Sequence, residues 1–135
     1  MTWVIRVKKP KPNGKIVKGE SGIWWDGKRH TPGRYELPLN KKVEFRVTVR
    51  NEGDEGRIRT QILGSYDRRK WWIVDQWVER FSARQKKTYT CRRTLDQAKT
   101  YYFKFVVKRE DDGAKTDEWG CETSEASEIT AGIYS

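Results

Sequence analysis

A chain of 135 residues with only four leucines, Leu37, Leu39, Leu63 and Leu95, but plentiful Val, Ile, Thr, Tyr and Trp can bury one core, and its composition suits pleated surfaces rather than helices. Its net charge of +10 is uneven: residues 1–108 hold 27 Lys or Arg against 11 Asp or Glu, and residues 109–135 hold 2 against 8. No run approaches the roughly 18 apolar residues of a membrane-spanning helix, the start lacks the apolar stretch of a secretory signal, and two cysteines are too few for a disulfide framework or a zinc site.

In chain order, "TWVIRVKK" reads as a short strand and "PKPNGK" as a loop. "SGIWWDGKRHTPGRYELPL" holds one or two short strands, with turns at Asp26-Gly27 and Pro32-Gly33. The clearest signal is "VEFRVTVRNEGDEG". Val43, Phe45, Val47 and Val49 alternate with Glu44, Arg46, Thr48 and Arg50, which predicts a strand with one buried and one wet face before a turn at Asn51 to Gly56. Ile58, Thr60 and Ile62 alternate with Arg57, Arg59 and Gln61 in the next strand. In "WWIVDQWV" the side formed by Trp72, Val74, Gln76 and Val78 is the more uniformly apolar and is expected to face the core, leaving Trp71, Ile73, Asp75 and Trp77 outward. "SARQKKTYTCRR" supplies a polar turn and a strand with Tyr89 and Cys91 on one side. "LDQAKTYYFKFVVKREDDGAK" places Tyr101, Phe103, Phe105 and Val107 inward and ends in a hairpin tip at Asp112-Gly113. A last strand from about residue 117 to 129 carries Trp119 and Cys121 at inward parity; whether Cys91 and Cys121 are bonded stays open.

Some seven or eight short strands separated by turns imply an antiparallel sandwich or barrel. "VEFRVTVRNEGDEGRIRTQIL" resembles the start of the cell-adhesion-related repeat of bacteria and archaea. "LDQAKTYYFKFVVKREDDG", with "TSEASEIT" later in the chain, resembles the last third of a fibronectin type III domain, with Leu95 six residues before Tyr101. The two resemblances cover about residues 43 to 130 and imply an all-β, antiparallel immunoglobulin-like β-sandwich, residues 1–135 forming a single domain. Residues 1–40 fit neither family well, and Asp96-Gln97 stands where a Pro-Gly turn is usual. Tyr101 would be the corner tyrosine that ties a loop to its strand. No site residues come with these resemblances, because sandwiches host many unrelated functions.

The residues offer little to an enzyme. His30 is the sole histidine, in the turn-rich "GKRHTPGRY", and reads as an exposed loop residue without a paired nucleophile. The carboxylates at Asp54-Glu55 and Glu110-Asp111-Asp112 belong to predicted turns rather than to facing walls of a cleft. "EDDGAKTDE" lacks calcium-loop spacing and Lys115 would oppose a cation, while "GKIVKG" lacks the spacing of a phosphate-binding loop. A non-enzymatic chain with no catalytic residue, metal or cofactor is expected.

What remains is surface. Aromatic rings interleaved with cations suit anionic ligands. The candidates are Trp24, Arg68, Arg69, Lys70, Trp71, Trp77, Arg84, Lys86 and Lys87. The expected partner is an acidic protein or polyanion. Nucleic acid, carbohydrate and a second copy of the chain are the alternatives, and an acidic tail lying against its own basic face would also answer the charge asymmetry. High charge with one His and one Met points toward a thermophile. If Met1 is the natural start, a cytoplasmic or virion setting is expected; an extracellular one is expected if the sequence is an excised module.

Overall fold

The computed structural model describes residues 2–121 and 128–132. Within them eleven strands run in order: β1 (Gly14–Ile16), β2 (Gly22–Trp25), β3 (Lys28–His30), β4 (Arg34–Leu37), β5 (Lys41–Asn51), β6 (Gly56–Ser65), β7 (Trp72–Phe81), β8 (Lys86–Leu95), β9 (Thr100–Arg109), β10 (Lys115–Trp119) and β11 (Glu128–Ala131). The surplus over the expected seven or eight is short pieces. Residues 14–37 give four of them, and the expected last strand is split into β10 and β11, its middle lying outside the described residues. Among the described residues no helix is long and apolar enough to cross a membrane.

The strands form two facing sheets. In the first, β5 pairs with β8 along its whole length on one edge and with β1 and then β2 on the other, and β3 lies beyond β2. In the second the order is β7–β6–β9, with β10 and β11 sharing the far edge of β9 and β4 lying parallel to β11. All other pairings are antiparallel. The molecule is an immunoglobulin-like β-sandwich.

Strict alternation puts Val43, Phe45, Val47 and Val49 of β5 against Tyr101, Phe103, Phe105 and Val107 of β9, all buried as predicted. The rings of Phe45 and Phe103 meet edge to face at 4.8 Å and join the sheets. Asp26 and Gly27, with φ of 53° and 74°, make the tight turn between β2 and β3. Asn51 is fully buried: its Oδ1 accepts from the backbone N–H of Asn13 and Gly53, and its Nδ2 donates to the carbonyls of Asp54, Phe81 and Ser82.

Tyr101 does act as a corner. Its hydroxyl accepts a hydrogen bond from the Gln97 backbone N–H at 2.9 Å, and burial pushes the phenol up to about 12. Tyr101→Phe keeps the ring and removes that bond, so thermal denaturation should register a loss of about 1 kcal/mol, or roughly 3–5 °C. An unchanged melting temperature would mean that other contacts hold the 96–99 loop.

Three expectations need correction. Residues 2–9 form no strand and are exposed: they have no neighbouring strand to pair with, and Pro10 and Pro12 interrupt the backbone donors just beyond. In β7, Trp77, not Gln76, turns inward. The pairing of β7 with β6 slips between Ile62 and Leu63, leaving Val74 as an extra residue, so the parity reverses along the strand. Val74 and Trp77 therefore both pack on the core, while Trp72 stays 37 % exposed with its indole lying on Gly64, where a Cβ would come within 2.8 Å. His30 is not a free loop residue: it lies on β3, stacked on Trp25 at 3.5 Å, with Nδ1 3.2 Å from the Ile23 carbonyl oxygen. Cys91 and Cys121 are not joined to each other: Cys91 is buried on β8 of the first sheet, and Cys121 lies just past β10 of the second, its Sγ 3.5 Å from the Phe103 carbonyl oxygen. Burial pushes the Cys91 thiol up to about 11.

Candidate binding face

The doubled tryptophans separate as pleating demands. Trp25 is buried between the sheets, and Trp24 lies on the outer face of the first sheet. There the register aligns Arg29, Trp24, Glu44 and Arg92 directly across β3, β2, β5 and β8. Arg46 reaches back over the Trp24 ring, its guanidinium carbon 4.2 Å from the centroid, and bonds Glu44 at 2.6 Å; Arg92 bonds the other oxygen of Glu44 at 3.2 Å. These two cations, Arg46 foremost, hold the Glu44 carboxyl below its ordinary value. Lys42 and Thr94 complete a shallow groove around this cluster.

The outer side of β5 and β8 thus carries Lys42, Arg46, Arg50, Lys86 and Arg92. Facing them are two carboxylates, Glu44 and, from the short turn Lys18–Glu20, Glu20, which bonds Lys86 at 2.9 Å. Lys42 and Arg50 have no acidic partner in the ion pairs of the described residues. Arg29 is tied down differently, donating to the carbonyls of Lys18 and Ser21.

The described acids of residues 109–135 meet cations elsewhere. Glu110 forms a two-pronged pair with Arg59, Glu118 bonds Lys104 and Lys115, Asp112 bonds Arg109, Glu128 approaches Arg34, and Asp111 bonds Lys9. Arg59 holds the Glu110 carboxyl below its usual range. Glu118 ends lowered as well, because Lys115 and Lys104 outweigh its burial. These pairs are concentrated on the second sheet and the β9–β10 hairpin, and among the described residues the five cations on the first sheet's outer face meet two carboxylates, Glu20 and Glu44.

The residues singled out from sequence do not form one patch. Arg68, Arg69, Lys70 and Trp71 belong to the β6–β7 loop, while Arg84, Lys86 and Lys87 sit at or just after the β7–β8 turn; the length of β7 separates the groups by about 30 Å. Arg68 takes a φ of 64° and lies 5.6 Å from the Tyr102 ring, and the backbone N–H groups of Arg69 and Lys70 are held by Asp67. Trp71 lies under the Lys104 ammonium at 4.3 Å. Trp77 stacks on Tyr89 across the sandwich at 4.9 Å. Arg84, with a φ of 66°, forms the turn itself, its N–H donating to the Asn51 carbonyl. Lys87 bonds Glu79 and the Arg80 carbonyl, and Arg93 bonds the Val74 carbonyl, so two β8 side chains cap the open edge of β7. Of the nine, Trp24 and Lys86 lie on the basic face. Lys42, Glu44, Arg46 and Arg92, which share that face, were not among the nine, although the alternation of "VEFRVTVR" already put Glu44 and Arg46 on the wet side.

No protein-family model matches the chain, and no curated protein matches it. Solved structures do. The CARDB domain of a Pyrococcus furiosus protein, crystallised in complex with di-metal ions, is 14 % identical with a TM-score of 0.55, covering 94 % of this chain and 97 % of that one. At that identity the likeness is one of fold. The C-terminal domain of wzt gives 13 % identity and a TM-score of 0.57 over 91 % of this chain and 75 % of that one. A beta-glucosidase from Listeria innocua in complex with glucose gives 14 % and 0.52 over 93 % of this chain but only 16 % of its own. The fold is thus that of the cell-adhesion-related, immunoglobulin-like sandwiches. Among the described residues of this chain, no three His, Cys, Asp or Glu side chains gather where a metal ion could be held.

Proposed function

We propose that the 135 residues act as one non-enzymatic binding module, which takes an acidic protein or other polyanion on the outer face of β5 and β8 with Trp24 at its margin. The observation that carries this reading is the segregation of charge: among the described residues, Glu110, Asp112 and Glu118 are engaged with the second sheet and the hairpin, whereas Lys42, Arg46, Arg50 and Arg92 share the first with Glu44 as the carboxylate among them. A one-signed face raises the local concentration of an oppositely charged partner and speeds its encounter. The likeness in fold to a cell-adhesion-related domain supports a binding role. Stacking of a neutral sugar on Trp24 is less favoured, because the Arg46 guanidinium already lies over that ring.

Affinity for poly-L-glutamate and for a short DNA duplex, titrated across salt concentrations, tests the proposal. Binding should weaken steeply as salt rises, with a log-log slope near −0.9 for each phosphate neutralised in the DNA case. Salt-independent binding, or none at low salt, would sink it. Duplex preferred over poly-L-glutamate would narrow the partner to nucleic acid. Glu44→Gln removes the one carboxylate at the centre of the face and should tighten binding about two- to threefold at low salt.

A further inference from the structure

We infer that residues 3–7 of one copy of this chain dock on the opposite end of a second copy, in the cleft beside Tyr66, Trp72 and Ile73, so that copies add head to tail. The observation is where the exposed apolar side chains lie. Among the described residues the large ones fall into two groups: Trp3, Val4, Ile5 and Val7, each 77–91 % exposed, and Leu39, Tyr66, Trp72 and Ile73.

The first group is an arm rooted at one end of the sandwich. Lys9 bonds Asp111 in the β9–β10 turn, Lys11 N–H donates to Asp54 in the β5–β6 turn, and the Pro12 carbonyl accepts from Arg109. The second group lies at the other end, where the β4–β5 and β6–β7 connections turn. Between them run the ten residues of β6, about 30 Å of extended chain. Residues 3 to 8 reach at most about 20 Å, so the arm does not cover the cleft of its own copy. A second copy brings arm and cleft together.

Both surfaces suit the contact. Trp3, Ile5 and Val7 alternate with Val4, Arg6 and Lys8, the pattern of a half-buried strand that here has no neighbour. At the other end Tyr66 and Trp72, whose rings pack against each other at 4.7 Å, rim a cleft with Ile73, with Leu95, Tyr101 and Phe103 also lining it. Burying Trp3, Ile5 and Val7 with their counterparts removes under about 1,000 Å2 from water, the size of a weak, reversible interface. Arm and cleft are different surfaces, so the contact does not close on itself and copies can extend in a row. Each copy carries a net charge of +10. Screening that repulsion should strengthen association, the opposite of the salt response expected for polyanion binding.

Sedimentation of the full chain over a range of concentrations, at low and high salt, provides the test. The average mass should rise with both. Trp3→Ser with Ile5→Ser in the arm, and Ile73→Glu in the cleft, change exposed side chains and should each give a monomer with an unchanged melting temperature. Mixed together, the two variants should form a one-to-one dimer and nothing larger, because one supplies the arm and the other the cleft. A wild-type chain that stays monomeric throughout, a variant that associates like wild type, or a mixture that remains monomeric would each overturn the inference. Arg46→Glu, which leaves arm and cleft alone, should not abolish the assembly; failure of polyanion binding is therefore read independently.

Discussion

Replacing Asn51 with alanine should destabilise the fold by about 3–4 kcal/mol, more than any exposed substitution, and lower the melting temperature by roughly 10–15 °C. The carboxamide joins three parts of the chain that are far apart in sequence: the lead into β1 through Asn13, the β5–β6 turn through Gly53 and Asp54, and the end of β7 through Phe81 and Ser82. Its own backbone adds a bond to Gln85 and another from Arg84. Alanine keeps the backbone bonds but leaves N–H and carbonyl groups in this partly dry corner without partners, and each such group costs its desolvation. Asn51→Asp sharpens the test. It preserves the acceptor for Asn13 and Gly53 while turning a carboxylate toward three carbonyls, so at neutral pH it should not restore wild-type stability. A melting temperature within a degree or so of wild type for Asn51→Ala would show that water replaces the side chain at little cost.

Where alternation is strict, the sequence already told the fold. In β5 and β9 the apolar residues at inward parity are those in the core, since a strand with one wet face has one register that buries its apolar set. The Asn51 turn and the Tyr101 corner were also visible, because each depends on a residue type with a particular bonding capacity. In β7 the reading failed. A bulge at Val74 is decided by how the strand pairs with Ile62 and Leu63, and that is a property of two strands, not of one. The arm failed for a related reason: β-prone residues become a strand only beside a partner.

The candidate site was the least legible part. Density of cations along the chain, as in "DRRKWW", measures neighbours in sequence, and turns collect them at the two ends of the molecule. The basic face instead draws alternate residues from positions 24, 42–50 and 86–94, which meet only once β2, β5 and β8 are paired. Nor could composition tell which cations would be paired by the acids of residues 109–135. Arg59, Lys104 and Arg109 are engaged, and Lys42 and Arg50 are not among the ion-paired ones.

Reversing the charge of Arg46 and Arg92 together should have the largest effect on binding. Four units of charge change within one groove, beside a Glu44 that then has no cation to hold it. At a high effective dielectric constant this amounts to about 2–3 kcal/mol, or roughly 30- to 150-fold in affinity for a polyanion at low salt. Arg57→Glu with Arg80→Glu is the matched control: these residues pair across β6 and β7 on the second sheet, so the net charge changes equally but on the other face.

The decisive measurement is the dissociation constant for poly-L-glutamate at low salt, determined side by side for wild type, the Arg46→Glu/Arg92→Glu protein and the Arg57→Glu/Arg80→Glu protein. A basic face on β5 and β8 predicts the large loss in the first variant and less than about fivefold in the second. Equal losses in both would mean that total charge alone governs binding, and an undiminished affinity in the first would remove the face from the account.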